Sequence, residues 1–455
     1  MTKQQRLVLW IAILASVVSA IDGFIVNVAL PAISRDLGGG LAVQQWTVDG
    51  YLLTLGALIL VAGSFSDLFG RNRMLRLGLI WFGVTSLLCA LAPNGTFLVI
   101  ARALQGIAGA FLVPSSLALI ISAFSGPAQS KAIGTWTAWF SISALIGPLL
   151  GGFIVAVASW RWIFAVNVVP IGFTLWLLAR CKQPEARKKD VPIDLLGALL
   201  CAAGLGAPVY ALIEQPKYGW SSWHTWPALV VGAVLLTVFI WWEGRNKSPM
   251  LPLSLFSSRN FSAGNVATLA IYAGLSVSVF IITITLQQVG GYSALRASLA
   301  LLPVTAIMFV LSSRFGALAG KIGPRTLMTL GPIIAALGFL LMLRVGTHVE
   351  YWSALLPGVL VFGLGLSMTV APLTSAILGD IEPKHAGVAS AVNNAVARIA
   401  GLIAIAFVGV ITGPVLDIHG FHKVLVAIAT TMVIGGLISL AGIRSRVTPA
   451  PQNNH

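Results

Sequence analysis

Fourteen apolar stretches, most about 20 residues long, follow one another along this chain, and no other sequence feature limits its fold as strongly. They lie near residues 7–30, 45–65, 77–94, 97–122, 132–156, 162–181, 194–214, 226–243, 262–285, 298–318, 326–345, 352–375, 387–412 and 423–443. A helix of about 20 apolar residues spans the roughly 30 Å hydrocarbon core of a bilayer. Only 9% of the 455 residues are charged and 57% are hydrophobic, with a mean hydropathy of +0.93. A soluble domain carries about 25% charged residues, so a water-facing surface cannot be built from this inventory. The expected fold class is all-α, a polytopic protein in contact with the lipid bilayer.

The net charge of +15 would suggest nucleic acid in a soluble protein. In a membrane protein Lys and Arg instead set orientation, because cytoplasmic loops retain them. Fourteen spans put both termini on one side. That side carries Lys3, Arg6, Arg71, Arg73, Arg76, Lys131, Arg180, the run Lys182 to Lys189, Arg245, Lys247, Arg259, Arg314, Lys321, Arg325, Lys384, Arg444 and Arg446. Arg35, Arg161, Lys217, Arg296, Arg344 and Lys423 fall opposite, which makes twenty against six. A multi-pass inner-membrane protein with both termini cytoplasmic and no nucleic-acid partner is expected.

The chain also echoes itself. Gly63, Gly70 and Arg71 join spans 2 and 3, and Gly316, Gly323 and Arg325 join spans 10 and 11. The two loops share spacing, side and span parity. Equivalent positions in two halves would make residues 1–190 and 251–455 six-helix bundles, with 191–250 as a two-helix insert, a 6+2+6 arrangement. Duplicated halves with a site between them are common in secondary transporters.

Charge inside a span is the strongest functional marker. An ionisable side chain at the bilayer centre costs about 2.5–3.5 kcal/mol on insertion scales. Asp22 lies past the middle of span 1, Arg102 lies in span 4 and Arg398 in span 13. Burial favours the neutral form of a carboxyl and a nearby Arg favours the ionised form, so a group between these influences can exchange a proton. Asp22 is either such a group or one half of a structural ion pair with Arg102. Gln105 follows Arg102 by three residues and shares its helix face. Asp49, beside Trp46 and Tyr51, is a candidate receiver of organic cations, or an interfacial residue among anchoring aromatics. Asn394 and Arg398 are one turn apart and line a cavity or bond backbone. Trp136, Trp139, Phe140, Tyr272, Phe280 and Gln287 are further candidates for pocket lining. Gly147 and Pro148, with Gly151 and Gly152, form a hinge or a packing seam. Asp67, between Gly63 and Gly70 with Arg71 and Arg73 nearby, suits a conformational latch or an ordinary tight turn.

Several of these segments together resemble a known family. Gly63 to Arg73 is similar to the hallmark loop of the major facilitator superfamily. Arg102, Gln105, Gly106 and Gly109 resemble the helix-4 motif of its drug–proton antiporters, and Gly147, Pro148, Gly151 and Gly152 their helix-5 motif. Asp22, Asn27 and Pro31, then Ser159 to Phe164 with Asn167 and Pro170, then Asn393 and Asn394, resemble the fourteen-helix branch. Two departures stand out: Phe24 occupies a position usually held by Thr, and Gly320 stands where the first half has Asp67. The resemblance implies a major facilitator fold and export of small molecules against inward proton flow. It assigns Asp22 and Arg102 to proton coupling and the glycine motifs to conformational switching, and Asp49 is the other intramembrane acidic candidate for coupling in the first half. Asp380 and Glu382 fall in the loop before span 13, so no acidic residue lies deep within a second-half span.

Other classes fit poorly. Cys89, Cys181 and Cys201 have no metal or disulfide spacing. No nucleophile motif is present, and Phe315 and Ile322 occupy positions a P-loop around Lys321 needs for Gly and Ser or Thr. The expectation is therefore a monomeric transporter that is not an enzyme, uses no cofactor, metal or ATP, and exports lipophilic cations, or else one dedicated metabolite such as an antibiotic, siderophore or lipid. The charge asymmetry predicts that a cysteine placed in the C-terminal tail escapes impermeant thiol reagents added to intact cells; ready labelling would refute that orientation.

Overall fold

The computed structural model describes residues 1–181, 193–379, 381 and 386–444. Among these residues there are fourteen helices long and apolar enough to cross a membrane, and no strand. They are α1 (Lys3–Leu37), α2 (Gly40–Phe69), α3 (Arg71–Ala90), α4 (Gly95–Ala123), α5 (Gly126–Val157), α6 (Trp162–Ala179), α7 (Leu195–Tyr218), α8 (Trp226–Arg245), α9 (Arg259–Gln288), α10 (Ala294–Ile322), α11 (Pro324–Arg344), α12 (Tyr351–Ile377), α13 (Gly387–Thr412) and α14 (Ile418–Gly442). The basic run Lys182 to Lys189, Asp380, Glu382, Lys384 and Arg446 lie outside the described residues.

Many helices run past the apolar windows that announce them, α1 and α2 most of all. The hydrocarbon core fixes a minimum length, and polar capping residues carry the helix through the interface. Thr2 and Gln5 form a capping box at the start of α1, with the Thr2 hydroxyl accepting from the Gln5 amide at 3.2 Å. Asn94 caps α4 by accepting from Phe97 N–H at 2.9 Å, and Asp417 caps α14 by accepting from Gly420 N–H at 2.6 Å. Asn94 opens a motif that resembles a glycosylation sequon, and capping gives it a structural role.

The chain separates into two compact units. One comprises Met1–Pro252 with Ile282–Leu299 and Ile405–Leu416; the other comprises Leu253–Ile281, Ala300–Ala404 and the chain from Asp417. In the first unit α1 is the most enclosed helix, packed along α4 and α5, while α2 packs along α4 and, on another face, α7. In the second, α11 packs between α12 and α14. There Asn393 donates to Asn265 Oδ1 (3.2 Å) and Thr268 Oγ1 (2.9 Å), joining α13 to α9.

Without a hydrophobic drive between helices in lipid, small residues and hydrogen bonds decide where backbones meet. Gly106 brings α4 onto α2 so closely that an added Cβ would lie 2.1 Å from Thr54 Oγ1 and 2.3 Å from the Tyr51 carbonyl oxygen. Thr54 Oγ1 then donates to the Ala103 carbonyl at 2.7 Å. Gly63, by contrast, has nothing within 4 Å of its Cβ direction. Gly106→Val should therefore destabilise the purified protein by about 1–3 kcal/mol, the usual range for overpacking, while Gly63→Ala should not. Thermal unfolding in one detergent, read for both variants, checks this contrast.

Candidate functional site

The polar centre of the first unit is built around Asp22, which is fully buried in α1. Arg102 Nη1 donates to Asp22 Oδ2 at 2.6 Å and to Gln105 Oε1 at 2.6 Å. Both side chains of the ion pair are at most 1% exposed. Gln105 Nε2 donates to Asp22 Oδ1 at 3.1 Å and to Ser86 Oγ at 2.8 Å. Asn167 Nδ2 reaches the same Asp22 Oδ1 at 2.9 Å. Arg102 Nε donates to the Thr47 carbonyl at 3.0 Å, and its guanidinium lies over the Tyr51 ring at 4.4 Å and near the Phe164 ring at 5.6 Å. Five helices, α1, α2, α3, α4 and α6, with one carbonyl and two rings, therefore meet around one buried charge pair.

Local sequence explains the placement. Arg102 and Gln105 share a face of α4 through their three-residue spacing. Asn167 sits where α6 tightens between Trp162–Ala165 and Val168–Ala179, its N–H bonded to the Phe164 carbonyl at 3.2 Å while its backbone stays helical. The spacing of Arg102 and Gln105 and the depth of Asp22 were legible in the sequence. Ser86 was not, since a lone Ser in an apolar helix carries no signal, and Asn167 was visible only as part of a motif.

Asp49 differs sharply from Asp22. It is fully buried in α2, and neither carboxyl oxygen has a hydrogen-bond partner. Trp46 does not stand beside it as an interfacial anchor: its indole donates to Glu214 Oε1 of α7 at 3.2 Å and packs against Tyr210. Tyr51 does not share a pocket wall with Asp49 either. Residues two apart point to different faces of a helix, and the Tyr51 hydroxyl meets Ser19 Oγ at 3.0 Å beneath Arg102.

The other expected lining residues are scattered. Trp136 donates to Ser16 Oγ at 2.7 Å and stacks with Phe140, and Trp139 is exposed edge-on to Trp10. Gln287 Nε2 donates to the Val28 carbonyl at 3.0 Å. Phe280 is fully buried and Tyr272 half-buried in α9. Asn394 is exposed and bonds its own helix at the Ser390 carbonyl, and Arg398 is half-buried in α13.

The glycine motifs divide between seam and turn. An added Cβ on Gly147 would lie 2.9 Å from Phe24 Cβ, and one on Gly151 2.6 Å from Ile25 Cγ1. Gly152 faces Ser298 and Leu295, and Ser298 Oγ donates to the Pro148 carbonyl at 2.8 Å. This segment is a tight packing seam against α1 and the start of α10. In the loop after α2, Gly70 has φ 101°, a conformation that favours glycine. Arg71 Nη2 pairs with Asp67 Oδ1 at 3.2 Å while Nη1 donates to the Ala118 carbonyl of α4 at 2.9 Å; Arg73 is exposed.

Fourteen apolar helices that hold a charge pair inside one bundle define a polytopic helical membrane protein. Comparison gives the family: the model of the Major Facilitator Superfamily matches residues 12–405, and the chain belongs to that superfamily of transporters. It is 35% identical over 391 residues to the multidrug resistance protein Stp of Mycobacterium tuberculosis (strain CDC 1551 / Oshkosh), covering 86% of this chain and 72% of that protein. It is 32% identical to the methylenomycin A resistance protein of Bacillus subtilis (strain 168), covering 89% of this chain and 87% of that protein. Among solved structures, a bacterial homolog of the human lysosomal transporter Spinster shares the fold with a TM-score of 0.70 at 14% identity, covering 97% of each chain.

Removing one partner of a buried ion pair typically costs about 3–5 kcal/mol because the other charge is stranded. Arg102→Met should therefore destabilise the wild-type background severely and an Asp22→Asn background far less. Unfolding of the two single variants and the double variant measures that coupling; additive losses would mean that the pair is not energetically linked.

Proposed function

We propose that this transporter exports lipophilic, cationic compounds by alternating access, driven by protons moving inward through Asp22. The observation that carries the reading is the Asp22 carboxylate, fully buried and held by Arg102, Gln105 and Asn167. Relatives named for multidrug and antibiotic resistance support the export of small organic molecules.

The chemistry follows from the hydrogen bonds. Ionised Asp22 accepts three N–H groups from α4 and α6 and neutralises Arg102. A proton on Asp22 removes the Coulomb attraction and adds a donor to a carboxyl already crowded with donors. Arg102 then keeps Gln105 Oε1, the Thr47 carbonyl and the Tyr51 and Phe164 rings as alternative partners. Protonation thus loosens α1 from α4 without stranding the guanidinium, and α1 also carries Phe24 and Ile25 against the Gly147–Gly152 seam. A proton on Asp22 is in this way linked to the seam that must shift during transport.

Asp49 is the second coupling candidate in this reading. An ionised carboxylate without partners is costly to bury, so Asp49 exchanges its proton only when α2 is exposed to water or to a cationic substrate. In this reading the domains are 1–190, 191–250 and 251–455, and the protein is a monomer of the inner membrane with cytoplasmic termini. A second reading, export of one dedicated metabolite, draws on a relative named a tetracenomycin C resistance and export protein.

Asp22→Asn is nearly isosteric and should fold. In proteoliposomes it should lose uphill transport driven by a pH gradient and keep substrate-for-substrate exchange. Uphill transport that survives in this variant would move the coupling role to Asp49, and a panel of competing compounds distinguishes broad from dedicated export.

A further inference from the structure

Outside the Asp22 cluster, one pair of acidic side chains meets inside the protein among the described residues. Asp194 precedes α7 and Glu243 lies in the last turn of α8, so both stand at the open end of the α7–α8 hairpin. Asp194 is 7% exposed and Glu243 2%. Gly197 lets them approach: its Cβ direction points to within 2.5 Å of Glu243 Oε1 and 2.6 Å of Asp194 Oδ2. The two oxygens are therefore no more than about 5 Å apart, a separation at which like charges repel appreciably outside bulk water.

The partners of the two carboxyls are unequal. Asp194 accepts from Gly197 N–H (2.8 Å), the Trp242 indole (2.9 Å) and the Asn246 amide (2.7 Å). Burial raises the proton affinity of Asp194, but these hydrogen bonds outweigh it and hold the carboxyl below its ordinary pKa. Asp194 is the ionised member. Glu243 Oε2 accepts from Leu251 N–H at 2.8 Å, whereas Oε1, buried and turned toward Asp194, has no partner. Among the described residues, the ionisable groups that face Glu243 are Asp194 and the Cys201 thiol on α7; Arg245, two residues further along α8, lies over the Trp241 ring instead.

We propose that Asp194 and Glu243 form a proton-binding site, with a single proton carried on Glu243 Oε1 and directed at Asp194 Oδ2. The proton fills the one unsatisfied position in the cluster and removes the repulsion that two carboxylates would exert. The site ties α7 to α8 and, through Leu251 N–H, fixes the segment that leads from α8 toward α9. Loss of the proton leaves two negative charges with no donor between them, and their repulsion drives the Glu243 carboxylate, together with the Leu251 N–H that it then holds more strongly, away from Asp194. This inference is independent of the export reading and of Asp22.

The test uses the purified full-length protein in lipid nanodiscs, with the proton as the probe. Infrared difference spectra between wild type and Glu243→Gln should contain a protonated-carboxyl carbonyl band present only in wild type. Hydrogen exchange of residues 246–251, corrected for the intrinsic effect of pH, should change severalfold in wild type as pH rises. It should stay flat in Glu243→Gln, whose amide cannot ionise and still donates to Asp194. A missing band, or an equal pH response in both proteins, overturns the proposal. Should Glu243→Gln fail to fold, the wild-type arm decides: corrected exchange that does not change with pH overturns it.

Discussion

The first unit depends on a single ion pair that water cannot reach. A carboxylate and a guanidinium in the bilayer interior are each costly alone. Together they are tolerable only with close geometry and with their remaining donors and acceptors satisfied. That requirement accounts for much of the surrounding structure. Gln105 must share a face with Arg102, α6 must present Asn167 to Asp22, and α2 must offer both a carbonyl and an aromatic ring. Gly106 and Gly109 permit this, because they let α4 lie against α2 at the level of Tyr51.

The same constraint links stability to function. A cluster held by one charge pair can be relaxed by one proton, and Arg102 has other partners to accept it when that happens. Asp49 shows the alternative solution, a buried carboxyl with no partner at all. The bundle thus holds two buried acidic groups, one fully satisfied and one unsatisfied.

Sequence exposed the features governed by simple periodicities. The fourteen helices followed from apolar length, and the closeness of Asp22 to Arg102 and Gln105 followed from the cost of unpaired charge and from helical spacing. Tyr51 was misplaced because it was read with its sequence neighbour Asp49, although helix geometry sends the two to different faces. For Trp46 the sequence leaves open an interfacial anchor or an aromatic neighbour of a cation receiver, and it does not show that Glu214 of α7 comes within reach of the indole. Ser86 was invisible for a related reason: its role depends wholly on which helices meet. The glycines of the Gly147–Gly152 segment signalled either hinge or seam, and only the positions of Phe24, Ile25 and Ser298 distinguish the two.

The central claim is that Asp22 gives up or takes on a proton as substrate is exchanged. Titration calorimetry of a cationic substrate into the purified protein, repeated in buffers of different ionisation enthalpy, counts the protons that move on binding. The account predicts proton release by the wild type that is lost in Asp22→Asn. Equal release by both proteins would show that the buried pair with Arg102 is a structural fixture and that the coupling proton resides elsewhere.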